Sequence, residues 1–186
     1  MRIGVGVDLS ASQSRPTSIC VVVEGVLSFC DRRISTSEIT SLILRFKGKI
    51  VVAIDAPLSV VDKGFRPVEK LLIRDGFKLL PLGLPGMRKL ALRAIELKES
   101  LEKKGIVVIE THPSSALKSA GCARSTAVRC LRKFVVILDE AILKSRDDVD
   151  AAIAASVAWS YIIGHTRVYS ASGDAIYLLP AGMAKI

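Results

Sequence analysis

Three apolar runs in this chain each end on a carboxylate: Ile3–Val7 leads into Asp8, Ile50–Ile54 into Asp55, and Ile106–Ile109 into Glu110. Short apolar runs of this kind read as buried strands, and the carboxyl ends of neighbouring parallel strands are where open α/β sheets build their sites. Acids gathered there repel one another and call for a cation, and Mg²⁺ is the usual one for such hard oxygen donors. If the three strands are parallel neighbours, their ends lie about 4.8 Å apart. Their carboxylates could then hold ions ~3.5–4 Å apart, as in two-metal phosphoryl hydrolysis, where one ion activates a water and the other stabilises the leaving oxygen. Taken singly, Asp8 reads as a strand-end cap and Asp147 as an acid answering a helix dipole. Their assembly is what needs a reason.

Strand parity supplies one. Side chains alternate along a strand, so Gly4 and Gly6 share a face with Asp8, and Val51 and Ala53 share one with Asp55. The bulkier Ile3, Val5, Val7, Ile50, Val52 and Ile54 point the other way. The acid-bearing face is therefore built of small residues and must admit something that approaches closely. The last helical segment offers the matching surface: Asp147, Asp150, Ala151, Ala154 and Ala158 recur at i, i+3, i+4, i+7 and i+11. Packing the two small faces together brings Asp147 and Asp150 to the strand ends.

The elements follow from periodicity and punctuation. Strands near 3–8, 18–24 and 26–33 precede a helix that is capped by Ser35, Thr36 or Ser37 and runs to about Lys47, and strand 50–55 completes a β-β-β-α-β order. Residues 57–104 form a basic excursion rich in Pro and Gly, with a short helix near 66–75 and a longer one over Met87–Lys104, where Leu90, Ala94, Leu97 and Leu101 make one stripe. Strand 106–110 runs into the turn Thr111-His112-Pro113 and a helix from Ser114 or Ser115. A further helix is expected over about 125–144, an alanine-rich one from Asp147 to Ile163, and a short ribbon around Ser172-Gly173-Asp174. No repeat is visible, and the length fits a single domain over residues 1–186.

Composition narrows the function classes. The net charge of +9 is concentrated in the middle of the chain, while residues 147–186 are net acidic. A basic surface around a local acidic site suits a metal-dependent enzyme acting on a polyanion, although basic helices also serve simply as soluble faces. No apolar stretch approaches the ~20 residues that span a bilayer, and the start lacks the h-region and cleavage site of a signal peptide. The expectation is a cytoplasmic protein with no membrane partner. The chain has no asparagine and one glutamine, Gln13, with many Lys, Arg and Glu, as in thermophiles. Cys20, Cys30, Cys122 and Cys130 contain no C-x-x-C pair and have no histidine at metal spacing, which argues against zinc. Buried free thiols are the favoured reading. A hairpin turning near Glu24-Gly25 would instead let Cys20 and Cys30 face each other across two strands.

Several segments together resemble a known family. The opening Ile3-Gly4-Val5-Gly6-Val7-Asp8-Leu9-Ser10 with Ser14-Arg15-Pro16-Thr17, the segment Ala53-Ile54-Asp55-Ala56-Pro57-Leu58, the Arg66-x-x-Glu69 helix, Val108-Ile109-Glu110-Thr111-His112-Pro113 and the closing Asp147-x-x-Asp150-Ala151 resemble the predicted-nuclease family with a ribonuclease H-like fold, domain of unknown function 429. The match runs in order along the whole chain. The Asp-x-x-Asp-Ala helix is also similar to that of RuvC-type Holliday-junction resolvases. The resemblance implies a mixed five-stranded sheet in the order 3-2-1-4-5, strand 2 antiparallel, flanked by helices. It also implies a divalent-metal-dependent nuclease or phosphodiesterase acting on nucleic acid, with Asp8 and Asp55 as primary Mg²⁺ or Mn²⁺ ligands and Asp147 or Asp150 completing the site. Ribonuclease H-like enzymes often place a glutamate on a helix or at the end of strand 4, whereas this chain has Asp55 there and Glu110 on strand 5. The role of Glu110 and the number of metals stay open.

Other residues are candidates for supporting roles. His112, two residues after Glu110, could carry a proton to or from a reacting phosphate, or simply bond backbone ahead of Pro113. Ser10 and Arg15 in the first loop, and Arg66, Arg74 and Arg88 with Lys70 on the excursion, are candidate substrate contacts. Few aromatics are present, so nucleic-acid binding should be mainly electrostatic and salt-dependent. Two rival readings remain. One is a nucleic-acid-binding or scaffold protein on the same fold without catalysis. The other is an ATPase, because Gly-x-Asp-Leu-Ser resembles the phosphate loop of sugar-kinase and actin-like enzymes, which need two such domains.

Overall fold

The centre of the molecule is the glycine-bearing strand β1 (Arg2–Asp8), with β2 (Thr17–Val23) antiparallel on one side and β4 (Lys49–Asp55) parallel on the other. The structure is a computed structural model that describes residues 1–182. Beyond β2 lies β3 (Val26–Arg33), joined to it by a two-residue turn in which Glu24 (φ 45°) and Gly25 (φ 83°) both take positive φ, as a tight hairpin requires. Helix α1 (Thr36–Ile43) starts at Ser35, whose hydroxyl accepts from the Glu38 N–H while Glu38 reaches back to the Ser35 N–H. It ends four residues short of the expected Lys47, because backbone turns at 44–46 carry the chain into β4.

The excursion after β4 contains α2 (Pro67–Arg74) and α3 (Pro85–Glu102), each with proline in its first turn. Strand β5 (Val107–Thr111) pairs parallel with β4 and leads into α4 (Pro113–Ser119). The helix expected over 125–144 is instead a broken path: a 3-10 turn at 124–126, α5 (Ala127–Leu131), the two-residue strand β6 (Val136–Ile137) beside β3, and a second 3-10 turn at 140–142. The run Phe134–Ile137 has strand rather than helix chemistry, which the charged residues flanking it, Arg132 and Lys133 before and Asp139 and Glu140 after, obscure. Helix α6 (Arg146–Ile162) is followed by the ribbon β7 (Arg167–Ala171) and β8 (Asp174–Leu178), turning at Ser172-Gly173.

The result is a mixed eight-stranded sheet in the order β6-β3-β2-β1-β4-β5-β8-β7. The expected five-strand order 3-2-1-4-5 is its core, extended by β6 at one edge and by the ribbon at the other. Helices cover both faces. Ile3, Val5, Val7, Val52 and Ile54 pack with Ile39 and Ile43 of α1 and Leu97 and Leu101 of α3. Each such aliphatic side chain contributes about 1.5–3 kcal/mol when fully buried. On the other face, Ala151 to Ala158 of α6 lie against Val51, Ala53 and the β1 glycines.

The thiols are corrected. Cys20 and Cys30 are directly opposed on β2 and β3 with Cα atoms 4.1 Å apart and form a disulfide, and Cys122 and Cys130 form a second across the turn into α5. Among the described residues no helix is long and apolar enough to cross a membrane.

Candidate functional site

Register decides which acids meet. Gly6 pairs with Ala53 and Val7 with Ile54 across the parallel β1–β4 ladder, so Asp8 and Asp55 emerge side by side from the same sheet face. Helix α6 reaches that face because β1 has no side chains to hold it off. A Cβ built on Gly6 would lie 2.0 Å from the Ala151 carbonyl oxygen, and one on Gly4 would lie 2.7 Å from the Trp159 nitrogen. The close approach read from sequence is thus the packing device that brings Asp150 into the same electrostatic field as Asp8 and Asp55. Asp147, exposed in the first turn of α6, also acts on Asp8.

Glu110 is placed differently. Ile54 pairs with Glu110 and Asp55 with Thr111, so Glu110 projects from the face opposite to Asp8 and Asp55. Its carboxylate is already engaged: one oxygen accepts from the Leu58 N–H (2.8 Å) and from Arg66 Nη1 (2.8 Å), and the other accepts from Arg66 Nη2. Arg66 is 0 % exposed and also binds Glu69 at 2.8 Å. Burial opposes its charge, but the two glutamates outweigh that and hold it above its usual value. Arg66, expected as a phosphate contact, is therefore an interior counter-ion. No nitrogen of it faces solvent.

Asp8, Asp55, Glu110 and His112 line one cavity of about 200 Å³. Its opposite wall is apolar, formed by Leu79 and Leu80 before α3 and by Met87 and Leu90 within it, so the excursion does cover the site. His112 is half-buried, with Nδ1 2.7 Å from the Ser115 hydroxyl, and desolvation pushes its pKa below the usual value against the pull of Asp150. Of the other candidates, Ser10 donates its hydroxyl to the Ser12 carbonyl at 3.1 Å, while Arg15, Arg74 and Arg88 are exposed.

Three residues that the sequence did not single out shape this region. Arg124, in the 3-10 turn, makes a two-pronged ion pair with Asp150, and its charge reaches Asp55 and Asp8. Asp148, between the two expected acids, is buried; its carboxylate accepts from Ser18 Oγ (2.9 Å) and Arg32, and its backbone N–H donates to the capping Ser145 hydroxyl. Arg93 ties down the first loop by donating to the Ser10 carbonyl at 2.5 Å. Only Asp148 carried a signal, as the third acid of a helix N-terminus. Arg124 carried none, since its partner is 26 residues away.

Burial, then Asp150 and Asp147, push the Asp8 carboxyl up to about 7, and burial with Asp8 and Asp150 pushes Asp55 well above the usual range. Folded pKa values above unfolded ones mean that the native state binds these protons more tightly. Their stabilising contribution is full below the unfolded value of about 4 and is lost as pH rises through the folded value, about 7 for Asp8. Thermal melts in EDTA should therefore show a lower Tm near pH 8 than near pH 5, with a smaller drop in Asp8→Asn. Equal drops in the two proteins contradict this electrostatic picture.

The donor set fits a divalent cation in its chemistry, being hard carboxylate oxygens with too little compensating charge, and the Arg124 guanidinium stands among them as a stand-in cation. Among the described residues no three His, Cys, Asp or Glu side chains are already drawn to ion-binding distance.

No protein-family model matches the chain, and no curated protein matches it in sequence. Solved structures do match in fold. A structure of Thermus thermophilus RuvC superposes with a TM-score of 0.55 at 16 % identity, covering 87 % of this chain and 96 % of that one. Another, T. thermophilus RuvC in complex with Holliday junction substrate, superposes with a TM-score of 0.52 at 18 % identity, covering 87 % and 96 %. At these identities the likeness establishes the fold.

Proposed function

We propose that this protein is a divalent-metal-dependent nuclease of the RuvC-like fold, hydrolysing phosphodiester bonds of a nucleic acid. The observation that carries the reading is the adjacency of Asp8 and Asp55 on one face, with Asp150 delivered to them by the glycine-alanine contact of β1 and α6. The same contact closes the core on that face of the sheet, and by closing it so tightly it seats the three acids together. The order of motifs along the chain supports membership in the predicted-nuclease family, domain of unknown function 429, as part of the same proposal. Acting as a single domain, the chain is assigned to the cytoplasm. Two disulfides are compatible with that if the source is a hyperthermophile, a setting in which intracellular disulfides are common.

Asp8, Asp55 and Asp150, with Asp147 beside them, would hold Mg²⁺ or Mn²⁺, which supplies a water nucleophile at neutral pH and stabilises the leaving oxygen. The remaining work falls to the chain itself. His112, kept neutral by burial and oriented by Ser115, accepts or returns a proton at the cavity wall. The apolar wall of Leu79, Leu80, Met87 and Leu90 excludes water from one side of the reacting group. Glu110 and Arg66 act beneath the site: they fix Leu58 and thereby the loop after Asp55. Exposed Arg15, Arg74 and Arg88 and the groove bordered by Arg124, Arg129 and Arg146 attract the phosphate backbone.

The competing reading is a nucleic-acid binder without catalysis, and the Arg124–Asp150 pair is its best support. The test incubates the protein with labelled RNA, duplex, branched and single-stranded DNA, with Mn²⁺ or with EDTA. Cleavage of at least one substrate in Mn²⁺, reduced more than about a hundredfold in Asp8→Asn, is the expected result. Tight binding with no cleavage of any substrate favours the binder.

A further inference from the structure

Arg124 is an unusual neighbour for a metal site. Its guanidinium engages both oxygens of Asp150 and is 33 % exposed, while Asp150 itself is 16 % exposed. The segment carrying it leaves α4 and is tied at both ends by the Cys122–Cys130 disulfide, so the arginine is presented from a short closed loop rather than from a free surface strand. Beside it, Ser125, Thr126, Arg129 and Arg146 border an open groove of about 370 Å³ that contains no acid. Arg124 thus has two places to put its charge: on Asp150, or across the groove where a phosphate would lie.

We propose that Arg124 is a resident counter-ion that holds Asp150 while the centre is empty and must be displaced when a divalent cation binds, its guanidinium then turning to the adjacent groove. This inference rests on the metal-centre reading given above and deepens it. It accounts for acids that share one field without converging: the Asp150 carboxylate is held by the guanidinium, whose charge also acts on Asp55 and Asp8. It also gives the metal-free protein partial relief from the repulsion of Asp8, Asp55 and Asp150, at the expense of metal affinity. A bidentate arginine–carboxylate pair is the strongest of the common side-chain ion pairs, so the competition is substantial.

The test is Mn²⁺ binding by isothermal titration calorimetry, with thermal melts in EDTA and in Mn²⁺, on the full chain and on Arg124→Gln and Arg129→Gln. Arg124→Gln should bind Mn²⁺ about tenfold more tightly than the native protein, a shift of ~1.4 kcal/mol. Its Tm in EDTA near pH 8 should fall by about 3 °C and be restored by Mn²⁺. Arg129→Gln removes a nearby charge that makes no such pair and should leave Mn²⁺ affinity within about twofold. Equal affinity in native and Arg124→Gln protein, or equal tightening in both variants, overturns the counter-ion role while leaving the metal centre standing. Mn²⁺ binding by none of the three proteins overturns both.

Discussion

A Gly6→Ala variant does not reach the native fold, losing more than about 4 kcal/mol, the range reserved for gross steric conflict or buried charge. The added methyl would sit 2.0 Å from the Ala151 carbonyl oxygen, 2.1 Å from the Ala155 nitrogen and 2.8 Å from the Ala154 carbonyl carbon. All three are backbone atoms of α6, so no side chain can rotate away. Either the helix leaves the sheet or β1 bends, and in both cases Asp150 is drawn from Asp8 and Asp55. Gly6 does not have positive φ, so the penalty is one of contact and not of backbone strain. Gly4→Ala meets Trp159 nitrogen at 2.7 Å and Ala155 oxygen at 2.9 Å and should cost less. Urea unfolding followed by circular dichroism measures the series. A Gly6→Ala protein that unfolds cooperatively within about 1 kcal/mol of the native one contradicts the packing on which the site depends.

The second large effect lies beneath the cavity. Arg66→Met should destabilise by about 3–5 kcal/mol near pH 8, because it leaves two buried carboxylates, Glu110 and Glu69, without their shared cation. Burial already raises the Glu110 pKa even with Arg66 present. Without the arginine, Glu110 takes up a proton more readily, so the loss should shrink as pH falls toward 5. Adding Glu110→Gln to Arg66→Met should recover part of the stability near pH 8. Chemical denaturation of the single and double variants at both pH values reads the effect, and a double variant no more stable than the single one would argue that the pair is not coupled.

Much of the fold was legible because the informative residues are local. The β-β-β-α-β order, the small-residue faces of β1 and α6, and the turns at Glu24-Gly25 and Ser172-Gly173 all follow from neighbours in sequence. What sequence could not reveal depended on register and on distant partners. Glu110 ends an apolar run just as Asp8 and Asp55 do, yet the β4–β5 register turns it to the opposite face, and nothing in five residues of strand announces register. Arg66 on an amphipathic helix reads as a surface cation until its two glutamate partners are known. The thiols were misread because a Cys pair becomes a disulfide only once β2 and β3 are aligned opposite each other. The attachment of β8 beside β5 rests on the single pairing of Glu110 with Ile176, too small a signal to extend the five-stranded sheet in advance.

The candidate site was legible in its acids and not in its cation. Asp8, Asp55, Asp147 and Asp150 could be grouped because each sits at an element terminus of a recognisable kind. Arg124 sits in an irregular turn just ahead of the helix expected over 125–144, so its approach to Asp150 has no precursor in the pattern.

The most direct measurement is anomalous diffraction at the manganese edge from crystals soaked in Mn²⁺. A peak is expected among the carboxylates of Asp8, Asp55 and Asp150, with the Arg124 guanidinium no longer on Asp150. Saturating Mn²⁺ with no peak there, and Arg124 still paired, would contradict that expectation.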